Sequence, residues 1–276
     1  MKPLRQALRD APFWFAALAV YAFLLGPILA VILASFEAGQ TYHFAFPPKN
    51  FSFEWYGKIP QRYLHALGVS VLVAGVSAVI ATLLGAAAAL ALVRGRLAGT
   101  EYLQSYFRLP LQIPFVVTGV VFLQFYNQLA VATGIDLLGT VAGLVVAHVF
   151  VTIPYSIGTV GSVLVRANAR LEEAARTLGA SEAAVFRRVL LPTLRPGLFA
   201  GFFYAFIVSF GDVPISIFIA SEKMTPLPVE IFSTLQFDFD PAILALSTIV
   251  VVFSALLILG AQRLAGFDLV LPSAKQ

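Results

Sequence analysis

The sequence contains no cysteine and few charged residues. Of its 276 residues, 12% are Asp, Glu, Lys or Arg, about half the share found in a typical soluble domain. Without cysteine, the chain forms no disulfide and offers no thiolate to a metal. So little charge cannot cover a globular surface of this size. The composition therefore argues against a cytosolic enzyme, a disordered chain and a nucleic-acid-binding protein.

Hydrophobic residues are abundant: they make up 59% of the sequence, and the mean hydropathy is +0.89. A helix needs roughly 20 apolar residues to cross about 30 Å of hydrocarbon, where the backbone must satisfy its own hydrogen bonds. Six stretches reach that length, which predicts an all-α integral membrane protein with six transmembrane helices in a single domain, residues 1–276. The predicted spans are Phe13–Phe36, Leu67–Val93, Leu109–Ala132, Leu138–Leu164, Gly197–Ala220 and Ile243–Leu264.

The first predicted span has a competing interpretation as a signal peptide, because Lys2, Arg5 and Arg9 precede it. The apolar region of a signal peptide has about 7–15 residues, whereas this stretch has about 24. Its length favours a transmembrane helix.

The basic residues predict the orientation of the chain, since Lys and Arg accumulate on the cytoplasmic side of a membrane. With the N-terminus inside, the outer segments hold only Lys49, Lys58, Arg62 and Lys223, and every other Lys and Arg lies in a cytoplasmic segment. Both termini are therefore expected in the cytoplasm. The net charge of +4 is explained by topology and requires no nucleic-acid partner.

Two ridges of small residues predict close helix contacts, because helices in lipid pack tightly where side chains are small. The contacts could lie within the chain or with a second subunit. The ridges are Gly139, Gly143 and Ala147 in the fourth span and Gly197, Gly201 and Ala205 in the fifth. Three prolines inside spans, Pro27, Pro154 and Pro214, are expected to bend or interrupt their helices.

The segment Arg166–Pro196, named the polar loop below, is too polar to span the membrane. Leu171–Leu178 predicts a helix with carboxylates in its first turn, which suits the helix dipole. Gly179 is expected to end it, because glycine tolerates positive φ. Ser181 is a candidate N-cap for a second helix, which we expect to end before Pro192. The prediction is a helix–turn–helix on the membrane surface.

The polar loop closely resembles the EAA signature of ABC importer permeases. The matching residues are Glu173, Ala174, Ala175, Gly179, Leu191 and Pro192, with Val189 in place of the usual isoleucine. The resemblance implies a type I ABC importer transmembrane domain with cytoplasmic coupling helices, located in a bacterial inner membrane. In that family the polar loop docks into a cleft of a separate ATP-hydrolysing subunit and couples it to transport.

The resemblance also implies partners: a second permease subunit, expected to be a paralogue, an ABC ATPase dimer and an extracytoplasmic solute-binding protein. We expect no catalytic or metal-binding residue in this chain. No lysine of the sequence ends a G-x4-G-K-[ST] phosphate loop, so ATP and Mg²⁺ are expected on the partner ATPase. The chain is therefore interpreted as a transport subunit and not an enzyme.

Asp212 is the only carboxylate inside a predicted span. An ionised Asp at a helix centre costs roughly 2.5–3.5 kcal/mol, so it normally faces a cavity or a partner. The stretch Ser209–Ser216 is similar to the fifth span of spermidine/putrescine permeases, which implies a cationic solute. The predicted solute path comprises Asp212, Ser209, Tyr204 and Phe210. The alternative is a structural role for Asp212, as a capped or paired carboxylate.

Several alternatives remain open from the sequence alone. The solute could be an amino acid derivative, a phosphonate, a metal or a thiamine-like compound instead of a polyamine. An ATP-independent secondary transporter is a second interpretation, and an intramembrane enzyme a third. His148 in the fourth span could titrate in the path, although a packing role is the simpler interpretation.

Overall fold

The computed structural model describes residues 2–38, 48–95, 97–237 and 240–265. Within these ranges the chain is helical, with no strand beyond an isolated bridge between Glu37 and Phe51. The helices are α1 (Lys2–Ala34), α2 (Glu54–Gly57), α3 (Gln61–Arg94), α4 (Thr100–Arg108), α5 (Phe115–Thr133), α6 (Val141–Arg166), α7 (Arg170–Thr177), α8 (Glu182–Val185), α9 (Leu191–Phe210), α10 (Ser216–Ile219), α11 (Leu227–Phe237) and α12 (Ala242–Ala265).

Five helical segments are long and apolar enough to cross a membrane, and a shorter apolar segment, Ala242–Leu256, lies in α12. The five are Pro12–Ala34, Gln61–Arg94, Phe115–Thr133, Val141–Arg166 and Glu182–Phe210. Each of the six overlaps one predicted span. The all-α integral membrane architecture is therefore confirmed.

Among the span boundaries that differ from the prediction, two lie close to a proline. The third span begins at Phe115 and not at Leu109, because Leu109–Leu111 forms a 3-10 turn and Pro114 is extended before α5. The fifth span was predicted to reach Ala220, but α9 ends at Phe210. A non-helical stretch containing Pro214 separates it from the short helix α10.

The other two prolines do not interrupt their helices. Helix α1 continues through Pro27, and α6 continues through Pro154. A proline inside a helix removes one backbone hydrogen bond, and neighbouring groups in a membrane protein can compensate for it. The expected interruption therefore occurs at Pro214 alone of the three.

The chain divides into two compact units. The first comprises Met1–Tyr63 and Phe237–Ile258, as far as these are described, and the second comprises Leu64–Gln236 and Leu259–Gln276 with the same restriction. In the first unit, Trp55 Nε1 donates to the carbonyl oxygen of Glu37 at 3.0 Å. The ring of Phe36 stacks on that of Phe51, with centroids 4.7 Å apart.

In the second unit, α6 and α9 pack antiparallel through the small-residue ridge of α9. A Cβ atom added to Gly197 would lie 3.1 Å from Val160 Cα, and one added to Gly201 would lie 3.2 Å from Ser156 Cα. Side chains at these positions would push the helices apart. The sequence left open whether the ridge Gly197, Gly201 and Ala205 contacts another helix of this chain or a second subunit. The structure shows contacts within the chain.

Three buried apolar clusters follow the length of α6 in the second unit. Leu144 and Ile215 belong to the cluster near the N-terminus of α6, and Ala205 belongs to a small cluster with α3 near the middle. Leu164 and Leu194 lie at the opposite end, on the α7 and α8 side of the membrane helices, with Leu194 in the first turn of α9. The ends of α3, α6 and α9 on that side are therefore packed together by buried apolar side chains.

Candidate functional site

The first part of the polar loop forms the predicted helix–turn–helix, which consists of α7, the turn at Gly179 and α8 and is named the elbow below. Helix α7 ends at Thr177, and Gly179 follows with φ +84°, a left-handed conformation that favours glycine. Ser181 caps α8 by accepting a hydrogen bond from the backbone N–H of Ala184 at 3.3 Å. These features confirm the first helix, its glycine stop and the N-cap of the second helix.

The end of the second helix was predicted wrongly. A π turn, Phe186–Leu190, follows α8 and leads directly into α9, which begins at Leu191. Pro192 lies in the first turn of α9, where a missing N–H is tolerated, and Pro196 lies inside the helix. The elbow is therefore continuous with the fifth span and not separated from it by a proline break.

The residues of the EAA signature fall in two places. Glu173, Ala174 and Gly179 are exposed on the elbow, and Ala175 is half-buried beside them. Leu191 and Pro192 lie in the first turn of α9, on the far side of the π turn. No described residue pairs with the carboxylate of Glu173. The elbow thus presents an exposed carboxylate among small side chains, and Arg176 on the same helix interacts with it only electrostatically.

An exposed ion pair connects the two helices of the elbow. Arg176 in α7 donates from Nε to Glu182 Oε1 at 2.7 Å and from Nη2 to Glu182 Oε2 at 3.1 Å. The hydrogen bond from Arg176 lowers the pKa of the Glu182 carboxyl below its ordinary value, and the pKa of the guanidinium is raised in turn. Both side chains are exposed, so solvent screens the pair.

The adjacent carboxylate, Glu172, has a different environment and was not singled out from the sequence. It is 8% exposed and is the buried residue of α7. Its Oε1 accepts a hydrogen bond from Arg94 Nε at 3.1 Å. The sequence offered one indication of this difference. Adjacent residues on a helix point in different directions, so Glu172 and Glu173 could not both face solvent on the same side of α7.

At the other end of α9, Asp212 is buried, with 4% of its surface exposed. Its Oδ2 accepts hydrogen bonds from the backbone N–H of Ile215 at 3.2 Å, the backbone N–H of Ser216 at 2.8 Å and Ser216 Oγ at 2.9 Å. The carboxylate therefore holds the first turn of α10 after the interruption at residues 211–215. This geometry agrees with the alternative of a capping role.

His148 of α6 completes this group, named the buried polar cluster: His148, Ser209, Asp212 and Ser216. The ring Nδ1 lies 2.7 Å from Ser209 Oγ, and Nε2 lies 3.0 Å from Ser216 Oγ and 3.6 Å from Asp212 Oδ2. All four residues are buried. The structure thus places Ser209 and Asp212 in one cluster around His148, for which a packing role was the simpler interpretation.

The two aromatic residues of the predicted path lie outside that cluster. Tyr204 is 55% exposed and stacks parallel to Tyr155 of α6, with ring centroids 6.4 Å apart. Phe210 stacks on Phe206, with centroids 5.7 Å apart. The predicted path residues therefore divide into two members of the buried polar cluster, Ser209 and Asp212, and two aromatic residues outside it. Among the described residues, no group of three His, Asp or Glu could hold a metal ion.

Comparison with known proteins identifies the chain at the level of family. The model of the family described as binding-protein-dependent transport system inner membrane component matches residues 81–267. The chain belongs to this family. The match includes the polar loop and the buried polar cluster.

Three curated relatives are similar over most of their length. PotC of Escherichia coli (strain K12), a spermidine/putrescine transport system permease protein, is 30% identical over 90% of this chain and 91% of PotC. PotI of the same strain, a putrescine transport system permease protein, is 32% identical over 90% of this chain and 85% of PotI. ModB of Mycobacterium bovis (strain ATCC BAA-935 / AF2122/97), a molybdenum transport system permease protein, is 36% identical over 71% of this chain and 77% of ModB.

A solved structure shares the fold. A bacterial ABC transporter involved in the import of the acidic polysaccharide alginate has a chain that matches with a TM-score of 0.72, covering 93% of this chain and 97% of that one at 16% identity. The family match and this fold confirm the predicted membership of the ABC importer permeases. The chain is a multi-pass membrane protein and a transport subunit, whose family works with ATPase and solute-binding partners.

Proposed function

We propose that this permease chain carries a polyamine, such as putrescine or spermidine, across the membrane. The observation that carries the proposal is the similarity to PotC and PotI, which extends over 90% of this chain in each case. In this proposal the chain pairs with a second permease subunit, receives the solute from a binding protein and is driven by two copies of an ATPase.

The polar loop is the proposed contact with the ATPase. Its exposed face offers the carboxylate of Glu173 and the small side chain of Ala174, which permits close approach. ATP and Mg²⁺ bind to the partner subunit in this proposal. Both chain termini and the polar loop then lie in the cytoplasm, as the distribution of Lys and Arg indicates.

Asp212 contributes to the proposed path through its charge and not through direct contact, because the carboxylate is buried. A negative charge in a low-dielectric bundle acts over several ångströms and favours a cationic solute. Tyr204 is exposed on α9 and offers an aromatic face to the amine of a solute. The two residues would thus favour the same class of solute.

The similarity to ModB favours a second candidate, in which the solute contains a metal. Uptake by the complete complex in proteoliposomes, with its ATPase and binding protein, separates the two. We expect spermidine or putrescine to enter only with ATP and to stimulate ATP hydrolysis. Stimulation by molybdate and not by polyamines would support the second candidate. Uptake without ATP would contradict both.

A further inference from the structure

Arg94 joins the ends of three helices. It is the last residue of α3, and its Nε donates to Glu172 Oε1 in the first turn of α7 at 3.1 Å. Its Nη2 donates to the carbonyl oxygen of Ala167, the residue that follows α6, also at 3.1 Å. One guanidinium therefore connects the end of α3 to the residue that follows α6 and to the first turn of α7.

The contact is shielded from solvent and suited to arginine. Glu172 is 8% exposed, and the side chain of Arg94 is 24% exposed. A planar guanidinium presents several donors in fixed directions, so it can hold two acceptors at once, which a lysine cannot do in the same way. Removing either partner of a buried ion pair leaves an uncompensated charge. The pair therefore resists separation more than the exposed pair on the elbow.

The path of the chain explains why such a contact matters. Helix α8 continues into α9 through the π turn, so a movement of the elbow is transmitted to α9 along the backbone. Its link to α6 runs through the non-helical residue Ala167, with ψ 132°. Helix α3 is far away in sequence, and Arg94 provides its hydrogen bonds to the loop segment.

We propose that Arg94 is a positioning residue for energy coupling, which makes α3 and α6 follow the polar loop when the ATPase moves it. This inference rests on the proposed function, in which the loop contacts the ATPase. The buried cluster of Ala89, Val160, Leu164 and Leu194 packs α3, α6 and α9 together beside the contact. With Arg94 in place, the loop and the three spans move as one body.

Transport stoichiometry tests the inference. In the complete complex, we expect Arg94→Gln and Glu172→Gln each to lower the solute carried per ATP hydrolysed by about five-fold, while the ATPase remains bound because the exposed face is unchanged. The double variant should be no worse than either single variant, since one interaction is lost in each. Arg108→Gln is the matched control, because Arg108 is exposed in the next helix and pairs with no described carboxylate. A wild-type ratio in both single variants, or additive losses in the double variant, would overturn the inference.

A distance measurement gives a second test, and the absence of native cysteine simplifies it. Spin labels on Leu97→Cys and Arg170→Cys report the separation of the end of α3 from the polar loop, and both sites are exposed. We expect the same distance in the nucleotide-free and ATP-trapped complexes, and different distances in an Arg94→Gln background. A change in the wild-type background, or none in either background, would contradict the inference.

The two proposals fail in different ways. If the ATPase does not bind the wild-type chain, the proposed function fails and this inference fails with it. If the wild-type complex assembles and transports, but the Arg94 and Glu172 variants keep the wild-type ratio, the proposed function stands and only this inference fails.

Discussion

The polar loop and the buried polar cluster each contain a carboxylate that the sequence indicates as functional, but the two carboxylates differ in exposure and in hydrogen bonding. Glu173 is exposed, and no described residue pairs with it. Asp212 is buried and accepts hydrogen bonds from Ile215 and Ser216. An exposed carboxylate without a hydrogen bond is available to a partner, whereas a buried carboxylate whose hydrogen bonds are made first of all maintains the fold.

The strongest challenge to this comparison is Glu173→Lys. We expect the variant chain to lose the ATPase on purification and uptake to fall by at least about ten-fold, because a charge reversal at an interface costs several kcal/mol. Glu101→Lys is the matched control, since Glu101 is exposed in α4 outside the polar loop. Equal retention of the ATPase by both variants would remove the docking role of Glu173.

Two substitutions of Asp212 separate its charge from its hydrogen bonds. Asn keeps an acceptor for the backbone N–H groups of Ile215 and Ser216, so Asp212→Asn should lower polyamine uptake and leave the thermal midpoint nearly unchanged. Asp212→Ala should also destabilise the chain, by about 1–2 kcal/mol. Wild-type uptake by Asp212→Asn would mean that the charge has no part in transport.

Removing one hydroxyl group inside the buried polar cluster and one outside it tests whether the hydrogen bonds of the cluster stabilise the fold. Ser209 Oγ lies 2.7 Å from His148 Nδ1, so Ser209→Ala leaves a buried ring nitrogen without its partner and should cost about 1–2 kcal/mol. Among the described residues, Thr82 Oγ1 is buried without a hydrogen-bond partner, so Thr82→Val should be neutral or stabilising. Thermal unfolding in detergent measures both. An equal loss of stability in Ser209→Ala and Thr82→Val would contradict the assigned hydrogen bonds.

The smallest expected effect is that of Arg176→Ala, because solvent screens the exposed pair with Glu182. Since Arg176 lowers the pKa of Glu182, any stabilisation of the elbow is present above the ordinary pKa of that carboxyl and is lost as the pH falls through the lowered value. Hydrogen exchange of the loop amides should therefore differ slightly between wild type and variant at neutral pH and converge in acid. A difference that grows in acid would contradict this sign.

The sequence was sufficient for features that depend on local chemistry. Helix length and hydropathy predicted the six spans, and Gly179 and Ser181 predicted the turn and cap of the elbow because their effects involve only a few neighbouring residues. The start of α9 could not be predicted, since the outcome at Pro192 depends on the preceding π turn.

Features that depend on contacts between residues far apart in the chain could not be predicted from the sequence. Asp212 could be identified as unusual, but its capping role depends on the chain's interruption after Phe210, and its place in the buried polar cluster depends on His148 from another helix. The contact between Arg94 and Glu172 joins residues 78 positions apart. An ion pair at such a separation has no periodic signature in one sequence.

Site-directed cross-linking tests the central claim most directly, because the chain has no native cysteine to interfere. A photoreactive maleimide would be attached to Ala174→Cys on the elbow and, as a control, to Ile135→Cys, which is exposed in the turn after α5. In the complete complex, we predict that Ala174→Cys is cross-linked to the ATPase and Ile135→Cys is not. Cross-linking from Ile135→Cys alone, or from neither site in a complex that transports, would contradict the claim that the polar loop contacts the ATPase.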